Sequence, residues 1–293
     1  MKLITVFTPT YNRAYTLDKL YKSLCEQTVN DFVWLVVDDG SIDDTESLVK
    51  KWIDERCIDI IYYKQENQGK MAAHNLGVRL CSTELFVCVD SDDFLATDSI
   101  EKICSFWKKN KNHDVAGIIA YRAVKKENDF LVEKEFPSLD SCTLHSLYEN
   151  GFRGDTTLVF KTEVIKEYPF PEIEGEKFIT EVYSYDQIDQ KYKYLLLNSP
   201  LTLCEYRPDG YTCNTSRLYF NNPKGCSLYY NQLLKLYPLK GLKKMKVLMR
   251  YIAFSRIGKN KFIYRNSNEH SPMYLIAWIL SFRFCKQLEK RAK

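Results

Sequence analysis

The sequence lacks the features that mark secreted, zinc-binding or membrane-spanning proteins. None of its ten cysteines forms a CxxC pair, and no group of cysteine and histidine has zinc spacing. Reduced, buried cysteines in a cytoplasmic protein are therefore expected. The N-terminal stretch MKLITVFTPTYNR contains no apolar signal region. The apolar run PMYLIAWILSF is too short to cross a bilayer, which needs about 20 residues.

Repeats and low-complexity linkers are also absent, whereas aromatic residues are plentiful. They make up 14% of the 293 residues, and tyrosine alone occurs 21 times. This composition is typical of an ordered globular protein with a substantial core. The length suits one large domain, or one domain with an added segment.

Charge is distributed unevenly along the chain. The formal net charge is +4, but residues 224–293 hold 16 Lys and Arg against 2 Glu, which gives +14 and leaves −10 for the first 223 residues. A basic tail on an acidic body indicates either a polyanionic partner, such as anionic lipid or nucleic acid, or a solvated helical face.

The first 125 residues alternate between short apolar runs and amphipathic segments with helical spacing. This pattern predicts a parallel α/β sheet with both faces covered by helices. We predict its strands at residues 3–7, 32–37, 58–63, 85–89 and 115–121. The polar segments TPTYNR, DDGSIDDT, QENQGK and DSDD each follow a strand, and ligands of such sheets bind beyond the carboxyl ends of the strands.

Three carboxylates, at Asp90, Asp92 and Asp93, follow the fourth predicted strand. Capping and turn formation would explain one or two of them, and an aspartate-based phosphatase would use one as its nucleophile. Like charges this close are unfavourable unless a cation neutralises them. Two carboxylates on one turn suit Mg²⁺ or Mn²⁺, and Mg²⁺ is commonly shared with substrate phosphates. The metal interpretation therefore predicts a diphosphate ligand nearby.

Four motifs, in this order, resemble those of family 2 glycosyltransferases: TPTYNR, VVDDGSIDDT, NQGKMAAHNLG and VDSDD. The resemblance covers about residues 3–125 and continues more loosely through GD at 154–155 and FITE at 178–181. It implies the GT-A fold, a mostly parallel Rossmann-like sheet flanked by helices, here with a helical basic C-terminal extension. It also implies inverting transfer from a nucleotide-diphospho-sugar, assisted by Mn²⁺ or Mg²⁺.

The segment after the first strand is expected to contact the nucleoside. Pro9 and Thr10 turn the chain, so that Thr8, Tyr11 and Arg13 can face the ligand. Tyr11 can stack on a base or pack in the core, and Arg13 can bind phosphate.

The resemblance assigns further roles in the donor site. It implies that Asp39 accepts a hydrogen bond from the base, commonly uracil, and that Lys70 lies near the donor phosphates. Asp90 would bind the ribose and help to hold the metal, whereas Asp92 would bind the metal directly. Ser91 occupies the variable position of the motif and is counted with the donor-binding residues.

A catalytic base is required because the acceptor hydroxyl loses a proton as it attacks. The family usually carries an acidic pair in this region, whose second member is the base. This sequence has Thr180 in the first place and Glu181 in the second, so Glu181 is the predicted base. The other acids of the region are Glu176, Asp186 and Asp189, and Asp155 is a further contender that we expect to bind acceptor hydroxyls.

We predict three segments. Residues 1–125 would bind the nucleotide sugar, residues 126–220 the acceptor, and residues 221–293 form a basic amphipathic extension that either lies on a membrane or packs on the core. Four tyrosines could stack on sugars or belong to the core: Tyr183, Tyr185, Tyr206 and Tyr211.

The expected product is a hexosyl or N-acetylhexosaminyl linkage to a saccharide or lipid-linked acceptor, in cell-surface polysaccharide synthesis. The expected location is cytoplasmic, with a peripheral membrane contact as one option and without nucleic acid as partner. The alternatives are an aspartate-based phosphatase, a sugar-nucleotide-forming nucleotidyltransferase and a non-catalytic sugar-nucleotide binder.

Overall fold

The chain forms two compact units. In the computed structural model the first unit comprises Met1–Pro169 and Tyr185–Tyr206, and the second comprises Phe170–Ser184 and Arg207–Lys293. The residues described are 2–111, 114–127, 129–205, 207, 214–259 and 272–293. Two of the four tyrosines considered for sugar stacking, Tyr206 and Tyr211, lie outside these residues.

The first unit is built on one ten-stranded sheet, counted over the described residues. Its strands are β1 (Ile4–Thr10), β2 (Phe32–Asp38), β3 (Ile60–Lys64), β4 (Leu85–Cys88), β5 (Phe94–Leu95), β6 (Val115–Lys126), β7 (Asp129–Leu131), β8 (Ser141–Cys142), β9 (Thr156–Lys161) and β10 (Lys193–Cys204). The order across the sheet is β3-β2-β1-β4-β9-β6-β10-β5, with β7 beside β6 and β8 beside β10. Strands β1 to β4 pair in parallel, as predicted.

Four strands depart from the parallel plan. The short strands β5 and β8 are antiparallel to β10, and β7 is antiparallel to β6. Strand β9 lies between β4 and β6 and is antiparallel to both. Its register on β6 requires a glycine, because a Cβ atom on Gly117 would come within 1.9 Å of the Val159 carbonyl oxygen. The backbone at Gly117 also has a φ of +148°, which side chains rarely adopt.

Helices cover the sheet. They are α1 (Ala14–Cys25), α2 (Thr45–Glu55), α3 (Lys70–Leu80), α4 (Ser99–Asn110), α5 (Leu144–Glu149), α6 (Thr162–Ile165) and α7 (Val182–Ile188), which crosses from the second unit into the first. Helix α1 buries Leu17, Leu20 and Leu24, which recur at helical spacing. Tyr21 of the same helix stacks on Trp52 of α2 with ring centroids 4.4 Å apart.

Helix α3 packs unusually close to β1. A Cβ atom on Gly77 would lie 2.3 Å from the Phe7 ring, so only glycine permits this approach. His74 of α3 meets the edges of the Phe7 and Phe86 rings and is a packed core residue. This contact fixes α3 with its first residue, Lys70, at the carboxyl end of the sheet.

The second unit is helical. It contains α8 (Thr215–Asn221), α9 (Pro223–Leu236), α10 (Gly241–Ile257) and α11 (Pro272–Ala292). The last three helices enclose an apolar cluster that includes Tyr230, Leu248, Phe254 and Ala277. The predicted helical C-terminal extension is therefore confirmed, and it has a core of its own. Among the described residues, no helix has the length and apolar character needed to cross a membrane.

Candidate active site

The three adjacent carboxylates lie on a tight turn between β4 and β5. The Asp93 amide donates to the Asp90 carbonyl oxygen at 3.0 Å, which closes the turn. Asp90 and Asp92 are half-buried, whereas Ser91 and Asp93 are buried. The turn forms here because β4 is apolar and buried up to its end, and β5 then runs antiparallel to β10.

Two of the three carboxylates are paired with a basic side chain. The Lys70 ammonium lies 2.7 Å from Asp90 Oδ1, and the Arg122 guanidinium lies 3.3 Å from Asp93 Oδ2. For Asp92, no ion pair is found among the residues that the structure describes. Within the described part of the chain, the turn therefore keeps one carboxylate without an ion-pair partner, and this is the carboxylate predicted to bind a metal.

The pKa values follow this arrangement. Burial alone would raise the pKa of Asp90, but Lys70 and Arg122 lower it below its ordinary value. Burial and the neighbouring charge of Asp90 raise the pKa of Asp92, against the opposing charges of Arg13 and Lys70. Charged side chains from the segments that follow β1, β3 and β4 thus shift the pKa values of these carboxyl groups. The structure brings together Arg13, Lys70, Asp90 and Asp92.

Arg122 is a site residue that the sequence reasoning missed. It lies on β6, its side chain is 21% exposed, and it pairs with Asp93, whose side chain is 5% exposed. Burial raises the pKa of Asp93 to about 6, although Arg122 opposes this shift. A signal was present, because Arg122 is the single charged residue in the apolar run VAGIIAYRAV. A lone charge in a buried strand indicates a partner of opposite charge.

Asp39 joins the end of β2 to the start of α3. Its carboxylate accepts hydrogen bonds from Gln65 Nε2 at 2.7 Å and from the Gln68 and Gly69 amides, both at 2.8 Å. Asp39 is 4% exposed. It thereby fixes the loop that leads into Lys70, and its predicted contact with the base stays a prediction.

The residues at the end of β1 and in the loop that follows it differ in exposure. Thr8 is fully buried, and its hydroxyl accepts a hydrogen bond from the Trp34 indole at 3.0 Å. Pro9 and Thr10 are buried within β1, so the prediction that they turn the chain is wrong, because the strand continues to Thr10. Tyr11 is 46% exposed, and Arg13 lies against Tyr15. Tyr11 and Arg13 are therefore the residues of this segment that a ligand can reach most readily, while the ligand contacts predicted for the segment stay predictions.

Hydrogen bonds connect the loop that follows β1 to the loop that follows β2. The Asn12 amide donates to the Ser41 hydroxyl at 2.8 Å, and the Ile42 amide donates to Asn12 Oδ1 at 2.9 Å. Asp43 accepts from the Ala14 amide at 3.1 Å and from the Thr45 amide at 3.1 Å. The two loops therefore form one connected part of the rim of the site.

Most acids considered as catalytic base are engaged in structural contacts. Glu176 accepts from the Lys224 and Gly225 amides at 2.7 and 2.8 Å and thus caps α9. Asp189 accepts from the Leu144 and His145 amides at 3.1 and 2.6 Å at the start of α5. Asp186 is 2% exposed and lies 3.9 Å from His145 Nδ1.

Glu181 lies just before helix α7. It is half-buried and belongs to the second unit, and the Ser184 amide donates to its carbonyl oxygen at 3.2 Å. Asp155 lies in the first unit, next to Arg122, whose amide donates to its carbonyl oxygen at 3.2 Å. Of the remaining tyrosines, Tyr185 is buried against Phe160 and serves the core.

The donor set at the turn suits a metal shared with substrate. Over the described ranges, no group of three or more His, Cys, Asp or Glu side chains is arranged to hold a metal ion. Asp90 and Asp92 offer two carboxylates, and Mg²⁺ is typically bound by one or two carboxylates plus substrate phosphates and water. The like charges of Asp90 and Asp92 are the feature that a divalent cation would compensate.

Sequence comparison identifies the family. Residues 5–168, more than half of the chain, match the model of glycosyl transferase family 2. The chain belongs to this family. Membership favours the glycosyltransferase interpretation over the aspartate-based phosphatase and the nucleotidyltransferase.

Relatives of known sequence agree. An uncharacterized glycosyltransferase of Haemophilus influenzae is 30% identical over 178 residues, which cover 61% of this chain and 70% of the relative. The minor teichoic acid biosynthesis protein GgaB of Bacillus subtilis is 23% identical over 229 residues, which cover 74% of this chain and 25% of that protein. The chain thus spans most of the first relative and a quarter of the second.

Solved structures show the same fold. TarS 1-349 of S. aureus in complex with UDP-GlcNAc has a TM-score of 0.63 and 18% identity, covering 96% of this chain and 81% of that one. Mannosyltransferase PcManGT of Pyrobaculum calidifontis, in complex with GDP-Man and Mn²⁺, has a TM-score of 0.55 and 16% identity, covering 99% and 85%. The predicted GT-A fold is confirmed.

Proposed function

We propose that this chain is an inverting, metal-assisted glycosyltransferase that moves a sugar from a UDP-sugar to a hydroxyl group of a saccharide or lipid-linked acceptor. The observation that carries the proposal is the turn at Asp90–Asp93. Two of its carboxylates are paired with Lys70 and Arg122, while Asp92 stays available beside Asp90. A divalent cation would supply the missing positive charge, and the diphosphate of the donor would share that cation with the turn.

The donor would lie along the rim formed by the loops that follow β1, β2, β3 and β4. Asp39 would accept a hydrogen bond from the base, next to Tyr11 as a stacking surface. Arg13 and Lys70 would bind the diphosphate oxygens as cationic donors. UDP is favoured by the ligand of the TarS structure, whereas PcManGT holds GDP-Man. The transferred group would be a hexosyl or an N-acetylhexosaminyl residue.

Mn²⁺ or Mg²⁺ would be held by Asp92 with help from Asp90. The ion would stabilise the negative charge that develops on the leaving diphosphate. Lys70, whose ammonium lies 2.7 Å from Asp90, would also stabilise this negative charge. The Mn²⁺ of the PcManGT structure supports the use of a divalent cation.

Glu181 would act as general base. As the acceptor oxygen forms its bond to the anomeric carbon, the bond from that carbon to the diphosphate oxygen breaks, and the hydroxyl proton passes to the Glu181 carboxylate. Displacement in one step inverts the anomeric configuration. Glu181 is proposed because it holds the second place of the segment in which the family usually carries its acidic pair, and Asp186 is only 2% exposed.

Donor binding and acceptor binding would belong to different predicted segments. Residues 1–125 would bind the donor and residues 126–220 the acceptor. Assembly of a cell-surface polysaccharide on the cytoplasmic side is the proposed setting, and the similarity to GgaB, a teichoic acid biosynthesis protein, supports it.

The proposal is tested by donor hydrolysis. The purified chain with Mn²⁺ is incubated with a panel of UDP-hexoses, UDP-N-acetylhexosamines and GDP-mannose, and release of the nucleoside diphosphate is followed. We expect slow release of UDP from one class of UDP-sugar, and loss of this release when the metal is chelated. Release from GDP-mannose alone would contradict the UDP assignment, and release without metal would contradict the proposed metal role.

A further inference from the structure

Helix α11 has two contrasting faces. Ala277, Ser281 and Leu288 lie on one side and are buried in the apolar cluster of the second unit. The opposite side exposes five large apolar side chains within eight residues: Leu275 (59% exposed), Ile276 (48%), Trp278 (39%), Ile279 (53%) and Phe282 (47%). At helical spacing, residues 275, 279 and 282 follow one another along a single stripe.

The same outer face becomes basic toward the end of the helix. Arg283, Lys286 and Lys290 are exposed, and Lys286 and Lys290 continue the line of Leu275 and Ile279. The one acid of the helix, Glu289, is bound by Lys293 at 3.0 Å. The outer face is therefore apolar in its first half and cationic in its second half.

The two aromatic side chains of the apolar half are held in place from the neighbouring helix. The Arg256 guanidinium of α10 stacks on Phe282 at 3.7 Å and on Trp278 at 4.6 Å from the ring centroids. This contact orders side chains that would otherwise lose conformational freedom on binding. It also places one more positive charge beside the apolar stripe.

We propose that the outer face of α11 binds the surface of an anionic lipid bilayer. The apolar half would enter the interface of headgroups and acyl chains, and the basic half would contact lipid phosphates. The stripe from Leu275 to Phe282 is about 10 Å long at the rise of an α-helix, so it can lie in a leaflet but not cross it.

The charge on this face favours lipid over a second copy of the chain. Among the exposed residues of α11, the basic side chains outnumber the single acid, so two copies that met through this face would bring like charges together. An anionic bilayer offers apolar contact and opposite charge at once. The proposal does not depend on the donor or the reaction, since these residues are remote in sequence from the motifs of the first unit.

Flotation of the full chain with vesicles tests the proposal. We expect the chain to float with vesicles of phosphatidylcholine and phosphatidylglycerol at low salt, and to bind vesicles of phosphatidylcholine alone at least about 10-fold more weakly. The variant Leu275→Ser/Ile279→Ser/Phe282→Ser should lose at least about 10-fold in binding, because these side chains carry the apolar contact. Neutralisation in Lys286→Gln/Lys290→Gln should reduce binding to the anionic vesicles by about 30-fold, roughly 5-fold per charge.

Ile42→Ser is the matched control, because Ile42 is 91% exposed on the first unit. This variant should float like the unmodified chain. Absence of flotation with anionic vesicles at low salt would overturn the proposal, as would equal flotation of the triple serine variant. Sedimentation velocity without lipid provides the remaining arm. A dimer that the triple variant abolishes would show that a second copy, not lipid, covers this face.

Discussion

Replacing Asp92 with asparagine should reduce sugar transfer by about 10³-fold or more while leaving the fold intact. Among the described residues, Asp92 is the carboxylate of the turn that has no ion pair. The neighbouring carboxylate of Asp90 is paired with the Lys70 ammonium at 2.7 Å. The asparagine keeps the shape but removes the charge that would hold a divalent cation against the diphosphate. Metal ions contribute several kcal/mol to such transition states, and each 1.4 kcal/mol is about tenfold in rate.

The control for this variant is Asp54→Asn, an exposed carboxylate on α2 of the same unit. It should leave transfer and thermal unfolding unchanged. The melting temperature of Asp92→Asn should not fall either, because the substitution removes one of the three like charges on the turn. Transfer at the unmodified rate in Mn²⁺ would exclude Asp92 as the metal ligand.

Substitution of Glu181 with glutamine should reduce transfer by about 10²- to 10⁴-fold, the usual contribution of a general base. Glutamine keeps the size and the hydrogen bonding of the side chain but cannot take the proton. Binding of UDP, measured by calorimetry, should persist. A loss of transfer at constant donor affinity distinguishes a base from a residue that shapes the donor site.

Variants of the other acids serve as matched controls for Glu181. Asp155→Asn tests the contender in the first unit, which we expect to act on acceptor affinity. Glu176→Gln removes the charge of a helix cap and should mainly lower stability, by about 1 kcal/mol. If Glu181→Gln transfers sugar at a near-normal rate while Asp155→Asn or Asp186→Asn does not, the assignment of the base is wrong.

The parts of the fold that depend on local pattern could be predicted from the sequence. Continuous apolar runs mark β1, β2 and β4 because both faces of these strands are buried. The common location of the polar loops after these strands could also be inferred, since the carboxyl ends of parallel strands share one edge of the sheet. For this reason the grouping of Arg13, Lys70, Asp90 and Asp92 agrees with the prediction of a common rim.

Contacts between distant segments could not be predicted in the same way. Strand β9 is inserted between β4 and β6 by pairing with residues far away in the sequence. The residue pattern of β9 marks it as a strand but does not show which strands it pairs with. The pairing of Arg122 with Asp93 also joins residues far apart in sequence. Thr8 illustrates a second limit of the sequence. Its position predicts that it faces the ligand, but its hydroxyl is buried and bound to Trp34, because a polar side chain at a strand end can belong to the core.

The separation of structural acids from candidate catalytic acids also required the structure. Glu176 and Asp189 lie in the same acid-rich stretch as Glu181, and nothing in their spacing distinguishes them. Each caps a helix from another part of the chain, at α9 and α5 respectively. Such caps between segments leave no local sequence signal beyond the acid itself.

A calorimetric titration of the chain with UDP, with and without Mn²⁺, tests the central claim most directly. The claim is that the turn at Asp90–Asp93 binds a nucleoside diphosphate together with a divalent cation. We expect saturable binding of one UDP in Mn²⁺ that weakens at least about 10-fold when the metal is chelated, since diphosphate and carboxylate charges then repel. Equal affinity for UDP with and without metal, or no binding in Mn²⁺, would contradict the account.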